Sequence, residues 1–239
     1  GDHCTYFNDG LGRMVMIAGA GDAVGLRLTK DFLKAGDTVI AGLLTGQDAA
    51  ALPEGMESVT IDPLSDSSAK RAAAEVAKKH PAIDLLVVNY DCCTKPETWT
   101  ILDAPDYAAM KAAYDYNTLG PLRAIEAFLP LLEAGQGRRI CCVTAVQSSN
   151  NAARDCADYP AHVSKAPLNM AMNQLFNGLR PKGYTFRMYC KDLAAAPERA
   201  GEYAVEYFTR NRSNEPESYK HSDENRLVLR DWMNIEIPW

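Results

Sequence analysis

The stretch Ala18-Gly-Ala-Gly-Asp-Ala-Val-Gly25 decides the fold. Before it stands an apolar run at 13–18, and after it an amphipathic run at 23–35. The first pattern predicts a buried strand and the second a helix with one apolar face. Gly19, Gly21 and Gly25 allow a turn between them that side chains would obstruct. Strand, glycine turn and helix together make the opening of a βαβ unit.

The same alternation continues along the chain. Apolar runs predict strands over 38–43, 57–61, 84–89, 139–144 and 185–190. Amphipathic runs predict helices over 67–79, with Ser67 as N-cap, and over 106–133, 161–179 and 197–210. Gly120-Pro121 predicts a kink in the long third helix. The run at 84–89 shows no polar alternation, as expected of a central parallel strand covered on both faces. The implied class is α/β: a Rossmann-type doubly wound parallel sheet in three layers, α/β/α, with right-handed crossovers. The reading assigns 1–239 to a single domain of this kind. Within it, 1–12 is an N-terminal extension, 211–226 a polar mobile loop, 226–229 a last short strand, and 231–239 a tail that exposes Trp232 and Trp239 unless something covers them.

Composition narrows the partners. The 239 residues are 47% hydrophobic with a net charge of −6, which disfavours nucleic acid and anionic membrane surfaces as partners. No apolar run approaches the ~18–20 residues of a membrane span. The opening residues, Gly-Asp-His-Cys-Thr-Tyr, lack a basic segment followed by an apolar one, so no secretory leader is expected. Seven cysteines, an odd count without a C-x-x-C pair, point to reduced thiols and a cytoplasmic location. Cys141 and Cys142 are neighbours in a strand and face opposite sides of the sheet, so no metal site is expected there.

A glycine turn between the first strand and first helix is where a doubly wound fold receives a dinucleotide, its pyrophosphate facing the helix N-terminus. The candidate nucleotide-binding residues are Gly19, Gly21, Val24 and Gly25. The spacing resembles the Gly-x-x-x-Gly-x-Gly of the short-chain dehydrogenase/reductase family, with Ala23 in place of its middle glycine. Further marks carry the resemblance over residues 12–193. Asp62 matches the acid that contacts adenine, Asn89 the strand-end Asn, Asn117 the helix Asn beside a proton-relay water, and Lys165 the lysine of Tyr-x-x-x-Lys. The resemblance implies NAD or NADP as cofactor. Gly42-Leu-Leu-Thr-Gly-Gln47 offers neither an acid for a ribose hydroxyl nor an Arg for a 2′-phosphate, so the choice between them stays open. It also implies a homodimer or homotetramer, built on the helices at 106–133 and 161–179 with Met110, Leu122, Phe128, Leu168, Met172 and Leu175.

The chemistry departs from the pattern. Carbonyl reduction by hydride needs a proton donor and a group that orients the carbonyl. The family uses Tyr and Ser; here Ala161 and Ala145 stand at those positions. The Pro-Gly that usually follows the sixth strand is replaced by Cys190-Lys-Asp-Leu193. Tyr90 and Asp91 replace small residues beside the expected nucleotide, and Asp91, if it faces the cleft, is expected to repel a pyrophosphate. Substitute catalytic residues are Tyr159, placed on the loop before the helix, with Lys165, Asn117 and Ser148; His162 points elsewhere on the helix. Two functions follow. One is a family member with degraded motifs and little or no ordinary carbonyl reduction, binding a nucleotide or another small molecule, or acting through assembly. The alternative is a divergent NAD(P)-dependent oxidoreductase using Tyr159 and Lys165 on a small carbonyl or alcohol.

Overall fold

The computed structural model describes residues 12–92, 96–191, 197–210 and 223–239, apart from the side chains of 197–202. The elements run β1 (Met14–Ala18), α1 (Ala23–Lys34), β2 (Thr38–Leu43), β3 (Glu57–Thr60), α2 (Asp66–Lys79), β4 (Leu85–Val88), α3 (Tyr107–Tyr114) and α4 (Gly120–Ala134). They continue with β5 (Arg139–Ala145), α5 (Tyr159–Leu179), β6 (Thr185–Lys191), α6 (Pro197–Thr209), β7 (Leu229–Asp231) and β8 (Glu236–Ile237). The strands form one sheet in the order β3-β2-β1-β4-β5-β6-β7-β8. All neighbours pair in parallel except β7 and β8. Strand order reverses between β1 and β4, the switch point that opens a crevice at the strands' C-terminal ends.

Each face of the sheet carries its own core. On one side Met16, Ile40, Leu86, Cys142 and Met188 pack with α2, α4 and α5. On the other, Val15, Ile17, Leu85, Cys141 and Tyr189 pack with α1 and α6. Cys141 and Cys142 thus fall in opposite cores, as period-two alternation requires, and burial pushes both thiols up to about 12.

Ser65, not Ser67, caps α2, its hydroxyl accepting from the Ser68 N–H. The long third helix is continuous through Gly120-Pro121, and its irregularity is a π-turn at Asp115–Leu119. Gly120 has another use: a Cβ there would lie 3.0 Å from the Pro63 Cβ, so glycine lets α4 approach that loop. The last helix of the predicted site, α5, begins at Tyr159, two residues earlier than expected.

The tail is not free. It turns back as β8, and the Trp239 main-chain oxygen accepts from both the main-chain N and the Nδ2 of Asn151. Trp232 packs against the α1/α6 core, 6.1 Å from the Tyr203 ring. The predicted loop at 211–226 lies outside the described residues except for 223–226, and there the chain is anchored. Glu224 is buried with Arg187 and Arg139, and Asp223 pairs with Arg230 at 2.9 Å. Residues 1–11, including Cys4, lie outside the described residues, as do Cys93 and the Asp192-Leu193 step. No helix among the described residues is long and apolar enough to cross a membrane.

Candidate active site

The glycine turn is shaped by close approach. Gly19 adopts φ 93°, and a Cβ there would lie 2.0 Å from the Asn89 carbonyl oxygen. At Gly25 a Cβ would lie 2.3 Å from the Gly19 oxygen. Both positions therefore require glycine. At Gly21 the obstacle is different: the Gln47 side chain folds over it, within 2.2 Å of where a Cβ would stand. Gln47 is held there by the Leu44 N–H, which donates to its Oε1 at 2.8 Å. Val24 is half-buried against the α1/α6 core, while Ala23 is exposed, so its methyl faces outward.

Two side chains lock this turn. Asp22 is the N-cap of α1 and accepts from the Gly25 N–H at 2.7 Å. Asn89 donates from Nδ2 both to the Gly19 oxygen and to the Asp22 carboxylate, each at 2.9 Å. The role of Asp22 escaped the sequence reading, although an Asp just before an amphipathic helix is a recognised N-cap signal. Asp62 closes the turn after β3 by accepting from the Leu64 N–H at 2.9 Å.

Across the crevice, the ends of β4, β5 and β6 meet α5. Asp91 reaches both Lys165, at 3.2 Å, and Lys191, at 2.8 Å. Burial pushes the Asp91 carboxyl up, but the two ammonium groups outweigh it and hold the group below its ordinary value. The expected repulsion of a pyrophosphate by Asp91 therefore needs correction: one carboxylate between two ammonium groups leaves a positive local balance. Lys191 was missed in the sequence. The register that pairs it with Ala145 brings it there, and no local motif marks such a pairing.

Asn117 belongs to the same cluster. Its Oδ1 accepts from the Cys92 N–H at 3.1 Å, and its Nδ2 donates to the Ser164 hydroxyl at 2.9 Å. Both ends of the amide are thus engaged within the protein. Thr144 adds a buried hydroxyl with no hydrogen-bond partner among the described residues. Together with Tyr90, these groups line a cavity of about 10 Å³, room for a single water.

The other predicted catalytic residues lie apart from this cluster. Tyr159 stacks on Trp99, ring centroids 5.4 Å apart at 21°. Main-chain and side-chain bonds between Glu97 and Asp158 hold the two segments together. Ser148 is buried and lines a separate cavity on the outer side of α5. His162 turns to the preceding loop, its ring nitrogens 2.8 Å from the Asp158 oxygen and 2.9 Å from the Asp155 carboxylate. Ala161 and Ala145 are 2% and 5% exposed, so packing fills the space around both.

These residues can be tested against a dinucleotide. The glycine turn fits: Gly19 and Gly25 keep the backbone open, and Gly21 is covered by the end of the Gln47 side chain, which the Leu44 N–H holds. Lys165 also lies at the far side of the crevice, although its ammonium is already engaged by Asp91.

A family model described as short chain dehydrogenase matches residues 13–193. The chain belongs to the short-chain dehydrogenase family. It is 30% identical over 181 residues to an uncharacterized oxidoreductase of Schizosaccharomyces pombe, covering 73% of this chain and 70% of that protein. In fold it resembles the carbonyl reductase Sniffer of D. melanogaster, with a TM-score of 0.80 at 18% identity over 95% of this chain and all of the other. The NADPH-bound carbonyl reductase from chicken fatty liver gives 0.75 at 20% identity, covering 95% and 94% of the two chains. The cofactor class expected from the sequence is the one that this last relative holds.

Proposed function

We propose that this protein is a nucleotide-binding member of the family whose ordinary carbonyl reduction is weak or lost. One observation carries the reading. At the position of the proton donor the helix presents a buried Ala161, while Lys165, the cation that would lower a phenol's pKa, is engaged by Asp91. Bound NAD or NADP supplies hydride chemistry in such proteins. Here Gly19, Gly21, Val24 and Gly25 would hold the phosphates, Asp62 and Asn89 would border the nucleotide, and Lys165 would face the ribose. Without a phenol the alkoxide left by hydride transfer has no donor at residue 161. Without a hydroxyl at 145 the carbonyl has no fixed orientation.

Titration with NADH and NADPH, read by nicotinamide fluorescence and by thermal shift, tests the binding half. Micromolar or weaker affinity is expected, because Gln47 must leave Gly21 and Asp91 competes for Lys165. Submicromolar binding of either nucleotide contradicts this.

The second reading, an oxidoreductase that uses Tyr159, is favoured by the fixed ring of that residue. The stack on Trp99 holds a phenol on the first turn of the helix that carries Lys165. Under this reading Tyr159→Phe abolishes a turnover that the natural protein shows.

A further inference from the structure

Strands β1, β2 and β3 lie side by side in parallel, so the segments that follow them open on one edge of the sheet. In a doubly wound fold that edge receives the adenosine half of a dinucleotide. The segments are 18–25, 43–51 and 61–68. Together they carry Asp22, Asp48, Asp62 and Asp66 and no Lys, Arg or His. Three of these carboxylates are fixed by main-chain N–H groups: Asp22 by Gly25 at 2.7 Å, Asp48 by Ala50 at 2.8 Å and Asp62 by Leu64 at 2.9 Å. Arg123 reaches the third segment from α4 but is committed there. It pairs with Asp66 at 2.7 Å and Asp115 at 2.6 Å, and it donates to the Pro63 oxygen at 2.8 Å. On the helices behind the edge, Arg27 pairs with Asp31 at 3.0 Å. Lys30, Lys70 and Arg71 are exposed and lie beyond the first turns of α1 and α2.

Gln47 is the neutral polar side chain at the centre of this edge. Gly46, at φ 85°, turns the chain after β2, and the Gln47 N–H donates back to the Leu44 oxygen at 3.1 Å. A Cβ on Gly46 would meet nothing within 4 Å, so glycine serves the turn there and not a close approach. The Leu44 N–H can donate only to oxygen, which fixes the orientation of the Gln47 amide. Its Nε2 then stands 2.8 Å from where a Gly21 Cβ would lie. In this fold the residue that reads the adenosine ribose follows the glycine turn by about 20 residues, and Gln47 falls in that place.

We propose that this edge selects a dinucleotide with a free adenosine 2′-hydroxyl, NAD(H), over the 2′-phosphorylated NADP(H), and that the neutral Gln47 is the residue that sets the choice. The proposal rests on the nucleotide-binding reading above. A phosphate monoester carries a charge of about −1.5 to −2 at pH 7, and a bound one is matched by Arg or Lys. Here it would arrive among carboxylates, with Arg123 and Arg27 already paired, and like charges brought together are costly. A hydroxyl brings no charge. It donates and accepts, as a carboxamide does, so Gln47 and the Leu44 N–H suit a ribose hydroxyl once the amide has left Gly21.

The test is binding, not turnover. NADH and NADPH are titrated by nicotinamide fluorescence at about 20 mM and about 500 mM salt, where screening differs strongly. At low salt NADH is expected to bind at least about tenfold tighter than NADPH, and the ratio is expected to narrow at high salt. Gln47→Arg should raise NADPH affinity about tenfold or more, because it supplies a guanidinium for the 2′-phosphate. Thr45→Arg, an exposed position on the same turn, should shift the ratio in the same direction and serves if Gln47→Arg does not fold. NADPH binding as tightly as NADH would overturn the proposal and leave nucleotide binding standing. No binding of either would overturn both. A ratio unchanged in the folded arginine variants would show that charge at this turn does not set the choice, and would also overturn it.

Discussion

At the scale of single residues, Asp91 sets the state of the catalytic end. It joins two lysines whose side chains are 8% and 11% exposed. Asp91→Asn leaves both cations without their shared anion, and the expected loss of stability is about 2–3 kcal/mol, below that of a fully buried pair. Urea denaturation measures it; a loss within ±0.5 kcal/mol would show the cluster to be an ordinary surface pair. The pH dependence has a definite sign. Because the folded carboxyl titrates below its ordinary value of 3.8, its contribution is present above that pH and is lost as pH falls through the folded value. The acid limb of the wild-type stability curve should therefore be steeper than that of Asp91→Asn. Ala161 gives a second prediction. Its burial means that Ala161→Tyr overpacks the site and costs about 1–3 kcal/mol, several degrees in Tm. Spacing of i and i+4 would still set a phenol near Lys165. The triple change Ala161→Tyr, Ala145→Ser and Asp91→Ala should then raise ketone reduction by ~10² or more over Ala161→Tyr alone. Equal rates would show that neither the engagement of Lys165 by Asp91 nor the missing hydroxyl at 145 limits the reaction.

At the scale of elements, the turn between β1 and α1 offers a contrast within a few residues. Gly25→Ala drives a Cβ against main-chain atoms of Gly19 and Ala20, which cannot yield without moving the helix. Gly21→Ala meets only the end of Gln47, which can rotate away. A loss of about 2 kcal/mol or more is expected at Gly25 and under 1 kcal/mol at Gly21, by thermal or urea unfolding. Similar losses at both would show that Gln47 is fixed more firmly than a single hydrogen bond implies. This turn was legible in the sequence because its signal is local: glycines at fixed spacing between two periodic runs. The strand and helix order was legible for the same reason. The π-turn was not, because Gly120-Pro121 drew the kink a few residues too far along the chain. Nor was the start of α5, where Asp158 at φ 54° lets the helix begin one residue before Pro160. Propensity alone does not anticipate an Asp in that conformation.

At the scale of the molecule, non-local contacts decide what the sequence could not show. Lys191 reaches Asp91 only through the β5–β6 register, and Gln47 reaches Gly21 only by folding back from the end of β2. The apolar helix stripes illustrate the same limit. Phe128, Leu168 and Met172 are buried in the core, so they are unavailable to a partner. The exposed apolar side chains on these helices are Tyr107, Tyr114, Val163 and Met170. α3 and α5 pack side by side, and an exposed apolar surface spread over two neighbouring helices favours association with a second copy. Light scattering at micromolar concentration is expected to give a dimer or tetramer, and Val163→Glu should shift it toward monomer; a monomeric natural protein would contradict this.

The central claim is that nucleotide binding has outlived the proton donor. Its most direct test is a single-turnover experiment with protein in excess over NADPH or NADH and a reactive ketone present. Fluorescence reports whether the nucleotide is bound, and absorbance reports whether hydride leaves it. The account predicts bound nucleotide with no ketone-dependent loss of the reduced form. Rapid ketone-dependent oxidation of the nucleotide, abolished by Tyr159→Phe, would contradict it and identify a working enzyme with a relocated acid.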